Sequence, residues 1–131
     1  MKPLAELFQS ADWKQEKHVP VIELPEKAKK GENLKVTVGV GKQIGHPNTT
    51  EHHIVWIEVY FHPEGEKFPY QIGRFELASH GASVKGADTS TVYTHPEVTC
   101  TFKTEKNGTV YAISYCNIHG LWANSAELKL A

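Results

Sequence analysis

The chain has 131 residues, a length at which folding hides about two thirds of the surface an extended chain exposes, enough for one hydrophobic core and not two. Fourteen Lys and Arg stand against fifteen Asp and Glu, a formal charge of -1, so no strong field of either sign points to nucleic acid or to an anionic membrane. Eight histidines are the compositional anomaly.

The apolar run Ile54 to Ile57 stops at Glu58, far short of the about 18 residues a membrane helix needs, which predicts a soluble protein. Glu6 falls where a secretory signal requires an apolar stretch, and no small-residue cleavage site follows; the expected location is the cytoplasm. Cys100 and Cys116 allow one disulfide at most, and in a reducing compartment thiol roles are expected instead.

No linker, charge block or repeat divides the chain, which predicts a single domain over 1–131 with a short N-terminal appendage. In that appendage, Pro3 to Ala11, Leu4, Leu7 and Phe8 fall at helical spacing after a proline suited to a first turn, predicting a brief helix. From Leu34 the period changes: Leu34, Val36, Val38 and Val40 alternate with Lys35, Thr37 and Gly39, as in a strand with one buried face. Before it, Lys27 to Gly31 reads as a solvated hairpin tip.

Ile54 to Phe61 is rich in β-branched and aromatic residues and ends at the turn-forming run His62-Pro63-Glu64-Gly65. Gln71 to Leu77 and Ser90 to Thr94 are weaker strand patterns. Val98, Cys100 and Phe102 share an apolar face, which makes Cys100 a core thiol. Asn107-Gly108 then predicts a hairpin into Thr109 to Tyr115, and Glu127 to Leu130 a last short strand. Six to eight short strands with little helix predict an all-β fold, an antiparallel sandwich. His62, His80 and His95 are expected on the surface, Trp56 and Trp122 in the core or beside a site, and Trp13 tying down the N-terminal segment.

The segment richest in chemistry is Tyr115-Cys116-Asn117-Ile118-His119-Gly120, a Cys-x-x-His at the end of a strand pattern. A thiolate and an imidazole three residues apart on a turn can reach one metal ion without crossing the sheet. The same four residues can equally be a buried thiol beside an ordinary surface histidine. His46-Pro47-Asn48 and the pair His52-His53 lie between two strong strand patterns, where sites are commonly built. Glu16-Lys17-His18-Val19-Pro20 adds a histidine upstream.

Taken together, Glu16-Lys17-His18-Val19-Pro20, then Gly45-His46-Pro47-Asn48 with His52-His53-Ile54, then Cys116-Asn117-Ile118-His119-Gly120-Leu121-Trp122, resemble the three signature segments of superoxide reductases of the single-domain neelaredoxin kind, the desulfoferrodoxin iron-binding domain family. Order, spacing and residue types agree over most of the chain. The resemblance implies an immunoglobulin-like β-sandwich and one mononuclear non-haem iron with four equatorial histidines, an axial cysteinate and an open sixth position. Position by position it implies His18, His46, His52 and His119 as the nitrogens and Cys116 as the sulfur. Of the neighbours His52 and His53 the family pattern selects the first, in keeping with adjacent residues at a strand's start pointing to opposite faces, and His53 is left to packing or to support of a ligand. Glu16 matches a loop carboxylate that occupies the sixth position in the ferric form, and Lys17 the lysine near the open site. With only two cysteines, the four-cysteine iron module of two-centre desulfoferrodoxins is excluded.

The implied activity is reduction of superoxide to hydrogen peroxide without release of oxygen, fed by rubredoxin or a similar small electron donor in a homotetramer from an anaerobe. Backbone N–H groups of Asn117, Ile118 and His119 are candidates to donate to the Cys116 sulfur. Two rival readings remain at this level. A cupredoxin-like copper carrier uses two histidines and a weak axial ligand, for which Met1 is the only methionine. A zinc-stabilised binding module predicts a closed site of four ligands.

Overall fold

The computed structural model describes residues 1–131 and builds seven strands into two antiparallel sheets. They are β1 (Val21–Glu23), β2 (Leu34–Gly39), β3 (Ile54–Pro63), β4 (Tyr70–Glu76), β5 (Glu97–Phe102), β6 (Gly108–Cys116) and β7 (Gly120–Leu128). One sheet has the order β1-β2-β5 and the other β4-β3-β6-β7, so the all-β sandwich read from the alternation is the fold observed.

Alternation sets the layers. Leu34, Val36 and Val38 of β2 face Ile57, Val59 and Phe61 of β3 and Val110 and Ala112 of β6 in one buried cluster. Phe61 and Phe102 bring the sheets together, with ring centroids 5.2 Å apart. Ile57, Val36, Val59 and Val110 are wholly enclosed. Deleting most of a side chain there leaves a cavity, so Ile57→Ala is expected to lower unfolding free energy by about 3 kcal/mol, within the usual 2–5 for such truncations, measured as a lower urea midpoint at unchanged slope.

In β3 the period slips once. Ile54 and Ile57 are both buried, and the pairing with β6 shifts between Ile54 and Trp56. Val55 is the one extra residue there, a bulge against β6 directly beside Cys116.

Several expectations are corrected. The N-terminal helix is a single 3-10 turn, Leu4–Leu7, with Leu4 and Leu7 exposed; one turn is too short to lay an apolar stripe on the core. Ser90 to Thr94 forms no strand, lying instead in a segment that folds on itself through Thr94 N to Ser79 O and Ser90 N to Gly81 O. Asn107-Gly108 makes no hairpin, since β5 pairs with β2 while β6 pairs with β3 and β7, and the chain crosses between sheets there. Gly108 answers a different demand: a Cβ would run into the His62 carbonyl across the ladder. The last strand begins at Gly120 rather than Glu127, and Val21–Glu23 adds a strand the pattern did not reveal. Cys100 is half-buried on β5, and burial raises its thiol pKa.

Candidate metal centre

β6 ends at Cys116, pairs it with Gly120 across a three-residue turn, and returns as β7. Gly120 has φ +82, a left-handed conformation that only glycine adopts without strain, so the Asn117-Ile118-His119 turn is built on it. The turn sets His119 three residues from Cys116 with both facing one point, their Nδ1 and Sγ 3.7 Å apart.

Three further elements deliver imidazoles to that point. His18 precedes β1 and is buried, its carbonyl held by the Ser114 hydroxyl at 3.1 Å. His46 and His52 come from the loop between β2 and β3. Thr49 closes that loop locally, its hydroxyl accepting from His52 N and its backbone N–H donating to the His52 carbonyl. Asn117 clasps the loop to the turn, donating from Nδ2 to Glu51 O at 2.7 Å and accepting from His53 N at 2.9 Å.

The donor atoms of His18, His52, Cys116 and His119 all lie within 4.8 Å of one another, and His46 Nε2 stands 3.6 Å from the Cys116 sulfur. The four rings form a square: neighbouring centroids are 4.7 Å apart for His18–His46, His46–His52 and His18–His119 and 4.9 Å for His52–His119, with 6.2 Å across the His18–His52 diagonal. Cys116, wholly buried, closes the inner side, while His52 and His119 face outward with part of their surface in water.

Proton positions follow from partners. His46 Nδ1–H donates to Pro47 O at 2.7 Å, and His18 Nδ1–H to Glu16 Oε1 at 2.6 Å, so in the neutral rings each Nε2 lone pair points inward. His119 Nδ1 lies 3.1 Å from His18 Nε2 and 3.2 Å from His52 Nε2. Four imidazole nitrogens and one cysteine sulfur gathered this closely are a ligand set for a transition metal. The residues present therefore fit a metal ion. Burial first, then neighbouring positive groups including Lys17, holds His46 down to about 4 and lowers His52. Both shifts favour the neutral imidazole, the form that ligates a metal.

The structure also places the neighbours. Burial raises the Glu16 carboxyl, but the His18 ring and backbone N–H more than offset it, and its pKa lies below the usual carboxylate value. Lys17 is part-buried, with its charge felt by His46, His52 and Glu16. Of the three backbone donors considered for the sulfur, His119 N reaches it at 3.4 Å, whereas Asn117 N is spent on His53 O. His80 is no simple surface residue: it is part-buried and stacks on His53, centroids 3.6 Å apart. Its nitrogens face Asn48 Oδ1 and Leu77 O.

A family model described as desulfoferrodoxin matches residues 10–125. The chain belongs to the desulfoferrodoxin family. Among its relatives, the superoxide reductase of Pyrococcus furiosus is 58% identical over 126 residues, covering 96% of this chain and 99% of that protein. Neelaredoxin of Megalodesulfovibrio gigas is 50% identical over 127 residues, 97% of each. The solved superoxide reductase (neelaredoxin) of Archaeoglobus fulgidus in the reduced form superposes with a TM-score of 0.89 at 62% identity, covering 95% of this chain and 99% of that one. The desulfoferrodoxin resemblance read from three short segments thus extends over nearly the whole chain.

Proposed function

We propose that this desulfoferrodoxin-family chain is a superoxide reductase, with one iron held by His18, His46, His52, His119 and Cys116. The observation that carries the reading is the square of four imidazoles closed on its inner side by a buried cysteine sulfur. Iron held by these residues would supply the one-electron reductant. The overall reaction joins superoxide, one electron and two protons into hydrogen peroxide, and no oxygen is formed.

The side chains favour an anionic substrate. Four neutral imidazoles and one thiolate leave a divalent ion with a net charge of about +1. Lys17, next to His18 in the chain, adds a further positive charge; at an effective dielectric near 20 a unit charge about 6 Å from an anion is worth about 3 kcal/mol. The His119 N–H on the Cys116 sulfur tempers the thiolate's charge and holds it in place. Glu16, by accepting from His18 Nδ1, keeps that ring's Nε2 free to ligate.

Glu16→Ala is expected to weaken iron binding by about tenfold through loss of that partner, with little change in the rate at which the loaded, reduced protein captures superoxide. A collapse of the capture rate would give Glu16 a direct part in the reaction.

The electron is supplied by a small one-electron carrier such as rubredoxin, for which the outward-facing His52 and His119 offer the approach. We extend the same reading to one domain over 1–131, a homotetramer and a cytoplasmic setting. No helix is long and apolar enough to cross a membrane. The deciding experiment mixes reduced, iron-loaded protein with generated superoxide: the reading requires peroxide in proportion to iron oxidised and no oxygen, and is contradicted by oxygen evolution or by inert protein.

A further inference from the structure

His119 carries a difficulty that its neighbours do not. It sits on an exposed turn that relies on a left-handed glycine, and Ile118 beside it is also exposed. Within the turn itself the backbone is tied only by the Cys116–Gly120 pairing and by the His119 N–H on the Cys116 sulfur, which leaves the outward-facing His119 carbonyl to be held from elsewhere.

Two side chains from outside the turn hold it. Trp122 donates from Nε1 to the His119 carbonyl at 3.2 Å, and Gln9 donates from Nε2 to the same oxygen at 3.0 Å. Both lone pairs of that carbonyl are thereby used. The indole, 8% exposed, also lies flat against His18, with centroids 4.9 Å apart and planes 13° from parallel. Gln9 is itself anchored: its N–H donates to Leu121 O and its carbonyl accepts from Ala123 N, both at 2.9 Å, bracketing Trp122 at the edge of β7.

We propose that Trp122 and Gln9 are positioning residues, acting through the His119 carbonyl and the face of His18 to hold two ligands in the pose that binds the metal. This makes the N-terminal segment, more than a hundred residues away in sequence, part of the centre's framework. The inference rests on the reading of those side chains as metal ligands.

Its test uses the iron-loaded full chain. Gln9→Ala removes one donor; Trp122→Phe removes the other while keeping an aromatic ring against His18. Each single variant is expected to release iron to a chelator about threefold faster and to shift the sulfur-to-iron absorption band, and the double variant about tenfold faster, the lower end of the range for changes around ligands. Gln9→Glu, which sets an oxygen against the carbonyl, should do no better than Gln9→Ala. Gln9 lies on an exposed segment, so its variants keep the test alive should Trp122→Phe fail to fold. Release rates and band positions equal to the parent in Gln9→Ala and the double variant overturn the proposal. A parent that holds no iron overturns the metal reading instead, and shows it before any variant is compared.

Discussion

Cys116→Ser is expected to abolish the sulfur-to-iron charge-transfer absorption of the oxidised protein and to lower superoxide reduction by more than a hundredfold, since removing a ligand exceeds the about 10–100-fold that changes around ligands cost. The expectation rests on position. Cys116 is the innermost donor, wholly buried at the end of β6, with His46 Nε2 and His119 Nδ1 at 3.6 and 3.7 Å and the His119 N–H directed at its sulfur. A serine oxygen in that place is a poorer donor of electron density and lacks the low-energy transition. The fold itself has little reason to suffer, because serine is close in size and His119 N–H can donate to a hydroxyl oxygen. An unchanged visible spectrum in a folded variant would remove Cys116 from the centre.

Lys17→Ala is expected to slow the second-order reaction with superoxide by about tenfold at low salt, the lower end of what electrostatic steering supplies. Added salt should slow the parent more steeply than the variant, because the charge that salt screens is absent from the variant. The expectation rests on Lys17 being part-buried next to His18, with a charge that helps lower the pKa of His46, His52 and Glu16. Equal salt slopes with a slower variant would make Lys17 a structural or proton-handling residue rather than a guide for the anion.

Much of the sandwich is legible in the sequence because its strands obey a period of two. Leu34, Val36 and Val38 alternate with polar residues, and in the structure they face inward together. The failures have local causes. β7 begins Gly-Leu-Trp-Ala-Asn-Ser-Ala, where small and polar residues interrupt the alternation on a strand whose sheet partners, not its own pattern, define it. β1 is only three residues long. Asn107-Gly108 carries a strong hairpin signal, yet turn chemistry specifies only a local bend, and the partner strands are chosen by packing across the core.

The site divides in the same way. Cys116 and His119 are close in sequence, so a shared turn is readable from spacing alone. His18, His46 and His52 meet them only through the packing of β1, β3 and β6, and no local pattern announces that; the family resemblance named them. Gln9 and the stacking of Trp122 on His18 carried no sequence signal beyond an aromatic near a candidate ligand, since Gln9 meets a backbone carbonyl and the stacked rings are far apart in the chain.

X-ray absorption at the iron edge of the reconstituted protein tests the ligand assignment most directly. One iron per chain, with a single sulfur scatterer and four nitrogens of imidazole character, is the predicted result. Protein that takes up no iron, or iron whose shell contains no sulfur, would contradict the centre described for Cys116 and its four histidines.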